Sequence, residues 1–392
     1  MRRIDDRERR ARLATRHHLA PAALAAGPVE VADDLVGIHA TDPASVYLGL
    51  RARTRDLDHA RVEHELYDAR SLIRILGMRR TMFVVPRDLG GVLTAACARA
   101  IAVAERKRML ALLEGAGISA DPTWLKRVES KTMAALEAAG EATATELTAA
   151  VPELGNRIAF GAGRRWQGEM GVSTRVLFLL SMEGRIVRAK PRGSWLSSQY
   201  RWAPVSRWVN GGIPDRQTDE ARSELVERWL ATYGPGTITD LRWWTGWTLG
   251  DVRRALGGVE TEEVELEAGG SALVLASDRD STPVVDPWAA LLPTLDTTVM
   301  GWNERSWYLG PYGPALFDTN GNAGPTVWWD GRVVGGWGQR SNGEVVVRLL
   351  EDVGADAAAA IEAEAARLDT WLGRVRVTPR FRTPLETDLG SL

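Results

Sequence analysis

The chain reads as an α+β protein: three tandem winged-helix units, each a helix-turn-helix followed by a β-hairpin wing, and a β-rich C-terminal element. Three observations predict this. The order helix, helix, helix, hairpin recurs three times between residues 4 and 277, as a repeat of architecture without a fixed residue period. Short helical patterns near 237 and 248 open on threonine caps and are separated by a turn containing Gly246, as a helix-turn-helix requires. From about residue 283 the pattern changes to short apolar runs around turn dipeptides. The boundaries follow as 1–115, 116–212, 213–282 and 283–392.

In the first unit, residues 4–19, 31–38 and 57–67 have helical periodicity. Residues 71–76 and 80–85 read as strands joined around Gly77-Met78, a pair that suits a type II′ turn, and Pro86 closes the second strand. The second unit repeats the order with helices over 124–139, over a short stretch capped by Thr145 and ending at Val151, and over 174–182 behind Ser173. Gly184 stops the last of these, and a hairpin over 185–190 and 195–200 turns at residues 191–194. In the third, Thr218, Thr237 and Thr248 cap helices over 219–233, 238–244 and 249–256, and residues 259–266 pair with 272–276. Beyond them, Asp330-Gly331 between two β-rich runs is a hairpin signal, residues 345–350 a further strand and 355–372 a helix.

Composition excludes several classes. The 392 residues are 45% hydrophobic and 26% charged, an ordinary balance for a globular protein. No apolar run approaches the roughly 18 residues a membrane span needs, and the charged start has no signal-peptide core behind it, so a cytoplasmic protein is expected. Cys97, the single cysteine, rules out an intrachain disulfide and falls in an Ala-rich segment expected to be core. No metal-binding His pair, nucleophile elbow or phosphate loop is present, so neither metal nor cofactor is expected. Most of the 16 tryptophans are expected in cores, although Trp243, Trp244 and Trp247 cannot all face one side.

Net charge is −2, but the cations are almost all arginine, the better fork for phosphate, and they cluster at 51–55, 79–80, 106–108, 164–165 and 185–201. Arg188, Lys190 and Arg192 alternate along a wing strand, which puts them on one face, fit for phosphate contact or for simple solvation.

The sharpest local feature is Leu35-Val36-Gly37-Ile38-His39-Ala40-Thr41-Asp42-Pro43, where an apolar pattern breaks. Proline disfavours helix at the residue before it, and on an extended backbone His39 and Thr41 point to the same side. An imidazole beside a hydroxyl suits the positioning of a water; satisfaction by backbone is the plainer alternative. Asp42 either faces positive charge or caps the helix that follows.

These residues, with the stretches 77–85, 317–325 (Phe-Asp-Thr-Asn-Gly-Asn-Ala-Gly-Pro) and 330–337, resemble the AlkZ/YcaQ-like DNA glycosylases in order across nearly the whole chain. The resemblance implies an open, positively lined channel around duplex DNA and hydrolysis of the N-glycosylic bond of cationic or bulky alkylated purines, including those in interstrand crosslinks. Where that family carries glutamine, an apolar residue, then glutamine or aspartate, this chain has His39, Ala40 and Thr41. On that basis His39 and Thr41 are the expected catalytic pair of a monomer. His39, with an ordinary pKa near 6.5, accepts a proton from the water that Thr41 orients. Arg51, Arg53, Arg79 and Arg80 are then expected to hold flanking phosphates. A non-catalytic DNA- or lesion-binding protein on the same fold is the alternative.

Overall fold

The computed structural model describes residues 1–119, 121–160 and 167–391. The chain opens with strand β1 (Arg2–Ile4) and helix α1 (Asp6–Arg16), whose first turn is capped by Asp5 accepting from the Glu8 amide. Helix α2 (Pro28–Asp34) stops four residues short of the expected end at 38. Val36 and Gly37 take φ of 55° and 102° and reverse the chain, so that Ile38–His39 becomes strand β2. Gly37 is required there: a Cβ on it would lie 2.8 Å from Val85 Cγ1. Asp42 then caps α3 (Pro43–Arg51), a helix buried along eight of its nine residues; with no polar face it carries no periodic signal. After α4 (His59–Glu63), which widens into a π-type turn over His64–Asp68, come β3 (Leu72–Leu76) and β4 (Met82–Pro86). The three strands pair antiparallel in the order β2-β4-β3. Their hairpin is not the expected two-residue turn. Gly77 donates to the Thr81 carbonyl across a longer loop in which Arg79 and Arg80 both hold positive φ. Helices α5 (Arg87–Leu93) and α6 (Arg99–Gly115) follow, joined through a second π-type turn that buries Cys97 in the core.

Helix α7 (Pro122–Ala139) leads to α8 (Ala144–Ala150), capped by Thr143 and not Thr145, because Glu146 completes a capping box with Thr143. Strands β5 (Arg157–Phe160) and β6 (Gly168–Gly171) form a small hairpin not expected from the sequence; the arginine cluster at 164–165 lies outside the described residues. Helix α9 (Val172–Met182) precedes β7 (Ile186–Pro191) and β8 (Tyr200–Pro204). The second strand starts later than expected because Trp195 leaves the ladder to pack on Tyr47 and His59, with ring centroids 4.8 and 4.9 Å away. A short helix, α10 (Val205–Trp208), leads into α11 (Thr218–Tyr233), where Thr218 is the first helical residue and not a cap. Helices α12 (Ile238–Thr245) and α13 (Leu249–Leu256) are capped by Thr237 and Thr248 and turn at Gly246, and β9 (Thr261–Leu266) pairs with β10 (Ser271–Leu275). β1 adds to this pair parallel to β9.

The C-terminal part is a four-stranded antiparallel sheet, β11 (Ala289–Leu292), β12 (Thr326–Trp329), β13 (Arg332–Gln339) and β14 (Val345–Leu349), in that order. Asp330 and Gly331 both have positive φ, as a type I′ turn demands. Two one-turn helices, α14 (Ser306–Leu309) and α15 (Gly313–Leu316), lie between β11 and β12; α16 (Ala355–Leu372) and α17 (Pro384–Gly390) pack on the sheet. One continuous apolar core joins α1–α5, α11–α13 and the C-terminal sheet, while a separate core serves residues 109–186. No helix among the described residues is long and apolar enough to cross a membrane.

A fully buried ion pair ties the N-terminal helices to the C-terminal segment. Arg53, 0% exposed, meets both carboxylate oxygens of Asp296 at 2.7 and 2.9 Å. Its remaining N–H groups donate to Thr298 Oγ1, Gly49 O and His17 O, so all five donors are satisfied. Arg53 is therefore a core residue and not the phosphate contact expected of it. Arg51 is also withdrawn, paired with Glu364 of α16 in a largely buried contact. Asp296→Ala leaves the guanidinium buried and unpaired, and is expected to cost about 3–5 kcal/mol in denaturant unfolding; a loss within about 0.5 kcal/mol, the range of an ordinary surface change, would contradict the assignment.

Candidate functional site

The His39 loop is an edge of the β2-β4-β3 sheet. His39 sits opposite Phe83 in the ladder, and the Ala40 amide donates to the Met82 carbonyl at 2.7 Å, which carries the extended backbone past the end of β2. The alternation this imposes brings His39 and Thr41 to one cleft of about 560 Å³. Thr41 Oγ1 accepts from the Met82 amide at 3.3 Å. The backbone is held from both sides: the His39 amide donates to Thr297 Oγ1 at 3.1 Å, and buried Arg74 donates to the Ala40 carbonyl at 3.0 Å. Thr297 belongs to the same three-residue segment as Asp296 and Thr298. The Arg53 cluster therefore fixes the loop that carries His39.

The imidazole is 5% exposed, its Nδ1 is buried with no hydrogen-bond partner among the described residues, and its ring meets Phe83 edge-on at 5.3 Å. Burial, and then the positive charge of Arg79, push its pKa down to about 3. The ordinary value expected from sequence is not retained: His39 is neutral at physiological pH and a weak base. Asp42 is 3% exposed and spent on structure. One oxygen caps α3 through the Ala44 amide at 3.0 Å and the other accepts from the Arg380 amide at 2.8 Å. Of the two expectations for Asp42, capping is the one observed.

The rest of the cleft comes from segments remote in sequence. Arg79 rises from the β3–β4 turn, Trp243 from α12, Arg305 from the start of α14, and Phe317, Asn320 and Asn322 from the loop before β12. Asp318 braces that loop, accepting from the amides of Asn320 and Asn322 at 2.8 and 2.9 Å. Trp244 lies in the core while its neighbour Trp243 is only partly buried, which resolves the tryptophan run. Arg305, Arg74 and Thr297 were not singled out from sequence, and Trp243 was noted only as one of the tryptophan run. The 317–322 stretch was noted only for its resemblance, since nothing local tells a cleft wall from a turn.

Among the expected site residues, His39, Thr41 and Arg79 converge. The others do not reach this cleft. Arg80 pairs with Glu105 at 3.0 Å, Lys190 with Glu63 at 2.7 Å, and Arg188 lies over the rings of Tyr200 and Trp202 while Arg192 is exposed. A possible metal grouping, His18, Glu30 and Asp34, is already committed otherwise. Both ring nitrogens of His18 face acceptors, the Ala23 carbonyl and the Asp34 carboxylate, each at 2.8 Å. Both must carry protons, so the ring has no lone pair for an ion.

The family model described as DNA glycosylase AlkZ-like matches residues 32–371. Among solved structures, the fold is similar to Streptomyces sahachiroi DNA glycosylase AlkZ, with a TM-score of 0.74 and 24% identity over 97% of this chain and 100% of that one. A search among curated protein sequences finds no match.

The depressed pKa of His39 has a consequence for stability. Unfolded, the imidazole takes up a proton near pH 6.5; folded, it does so only at about 3. Between these values the unfolded chain binds more protons, so the contribution of this group is complete above pH 6.5 and is lost as pH falls toward 3. Thermal unfolding of His39→Gln beside the wild type should therefore show a shallower acid loss in the variant, by on the order of a few kcal/mol. Parallel curves would contradict the burial argument.

Proposed function

The chain belongs to the AlkZ-like DNA glycosylase family, and from that premise we propose that it hydrolyses the N-glycosylic bond of cationic or bulky alkylated purines in duplex DNA, at the cleft shared by His39 and Thr41. The observation that carries the reading is the meeting of His39, Thr41 and Arg79 in one cleft formed by parts of the chain far apart in sequence.

A purine alkylated at N7 or N3 is cationic and departs as a neutral base when the C1′–N bond breaks, so little acid catalysis is needed. What remains is to place a water against an oxocarbenium-like sugar. Thr41 Oγ1, held by the Met82 amide, and the neutral ring of His39 supply hydrogen bonds to that water. A strong base is unnecessary. As the water oxygen bonds to C1′ it becomes a protonated, strongly acidic hydroxyl, and its proton passes through a weak acceptor to solvent. His39 is thus a positioning acceptor more than a general base.

We further propose that three helix-and-hairpin sets, carrying β3–β4, β7–β8 and β9–β10, are winged-helix units spanning 1–115, 116–212 and 213–282, followed by the β-rich element 283–392. Arg80, Arg188, Lys190 and Arg192 are proposed to meet the duplex backbone outside the cleft. The Lys190–Glu63 pair is exposed and hence weak enough to exchange for a phosphate. Crosslinked purines, and action as a monomer, belong to the same proposal. The second reading, a lesion-binding protein without catalysis, draws its support from the low basicity of His39.

Single-turnover release of base from a duplex bearing one 7-alkylguanine separates the two. Release by the wild type, lowered about a hundredfold in His39→Ala and in Thr41→Ala with DNA affinity kept, is expected. Because His39 does not titrate in the neutral range, the rate should show no inflection from it between about pH 5 and about pH 8. Tight binding of the duplex with no base released would establish the non-catalytic reading, and an acid limb near 6.5 would restore His39 as a base.

A further inference from the structure

Among the described residues, the cleft that holds His39 and Thr41 is lined by two guanidiniums, Arg79 and Arg305, and by no aspartate or glutamate. Both cations lie over the ring of Trp243, with their guanidinium carbons 4.2 and 4.7 Å from its centroid; Arg305 also lies 5.0 Å from Phe317. The only side-chain hydrogen bond of Arg305 among the described residues is to the Asn303 carbonyl at 3.5 Å, and Arg79 Nε is buried with no partner. Elsewhere on this chain most buried or half-buried arginines meet a carboxylate: Arg12 with Asp278, Arg53 with Asp296, Arg175 with Glu105, Arg222 with Asp251. Two neighbouring cations left without one are an arrangement that an arriving anion stabilises.

The fold holds both in place at some expense. Arg79 and its neighbour Arg80 have φ of 50° and 65°, a left-handed pair without glycine, which costs roughly 1–2 kcal/mol per residue. The stem of Arg79 rests on Gly246, where a Cβ would come within 3.0 Å of its Cγ. Arg305 is placed by Asp240, which is buried and splits its two oxygens. One closes the α12 cap with Thr237; the other accepts from the amides of Asn303 and Glu304 at 2.8 and 2.9 Å. That carboxylate fastens Trp243 and Arg305 together without neutralising either guanidinium.

We infer that Arg79 and Arg305, backed by Trp243, are a two-guanidinium seat for one phosphodiester of the lesion-bearing strand, next to His39 and Thr41. The inference deepens the proposed function and rests on it for the strand. Guanidinium forks match the paired non-bridging oxygens of a phosphodiester, and the indole gives them a flat support. The seat also answers an electrostatic difficulty. Two bare cations repel a cationic purine and oppose the positive charge that grows on the sugar; one phosphate seated between them halves that net positive charge. A seated phosphate therefore eases the entry of a cationic base, which favours the polymer over the free nucleoside as the ligand.

The test reads binding and needs no catalysis. Duplexes carrying a tetrahydrofuran abasic analogue are made with a single neutral methylphosphonate at each phosphate position in turn, and their affinities for the full chain are measured. One position near the analogue is expected to weaken wild-type binding about tenfold, the cost of a lost charge-assisted contact. That position should have no effect on Arg79→Gln or Arg305→Gln, while Arg305→Lys keeps a partial effect. A map in which the same positions matter equally in wild type and variants would overturn the seat, as would no sensitive position near the analogue. Should a variant fail to fold, the wild-type map with Gly246→Ala, which dislodges the Arg79 stem, decides in the same way. Inorganic phosphate alone tests the other source of the same chemistry: a saturable, submillimolar rise in Tm, lost in Arg305→Gln, would make free phosphate the occupant and overturn the strand assignment. An enzyme that releases base but gives a flat map loses the seat alone. A sensitive position without any release of base loses the glycosylase reading alone.

Discussion

The buried pair between Arg53 and Asp296 is the constraint on which the rest of the molecule depends. It joins the end of the N-terminal helices to a segment more than two hundred residues away, in an interior where neither ion has access to water. Exchanging such a pair for packed apolar groups is often neutral, whereas separating its members is costly. The pair therefore penalises every arrangement in which the N-terminal and C-terminal parts come apart. Asp296 also accepts from the Thr298 amide at 2.9 Å, and Thr298 Oγ1 meets His17 Nδ1 at 2.8 Å, so the segment is fixed at successive residues. The residue between, Thr297, is the one that holds the backbone of His39.

From this anchorage the chemistry follows. A loop gripped by Thr297 on one side and Arg74 on the other has little freedom, and its histidine is pressed into the sheet edge where protonation is unfavourable. Rigidity and neutrality have the same cause. The site is consequently suited to holding a water in a fixed direction, and poorly suited to taking its proton early. The substrate that such a site serves is one whose leaving group is already activated. The guanidiniums of Arg79 and Arg305 supply the charge that the loop itself lacks.

Much of the architecture was legible locally. Thr237, Thr248 and Asp330-Gly331 announce their caps and turn through backbone chemistry that needs no tertiary context, and helix 355–372 has the bounds its pattern suggests. Helix α3 was hidden because it is buried on all sides, and β2 because Gly37 turns the chain where a periodic reading continues the helix. The same division holds for the site. His39 and Thr41 stood out because an extended backbone sets them on one side. Arg53 carried the same local signature as a phosphate-binding arginine, and only its partner Asp296, 243 positions away, reveals it as core. Arg305 had no local mark at all, and the tryptophan run did not tell that Trp243 is the ring facing the cleft, since a wall formed by segments remote in sequence exists only after folding.

Whether the fold holds His39 as a neutral, fixed hydrogen-bonding group is decided by the ¹⁵N chemical shifts of its ring nitrogens in the labelled 392-residue chain between about pH 4 and about pH 8. One neutral tautomer is expected throughout, with no titration. A protonation midpoint near the ordinary value of about 6.5, or exchange between tautomers, would contradict it.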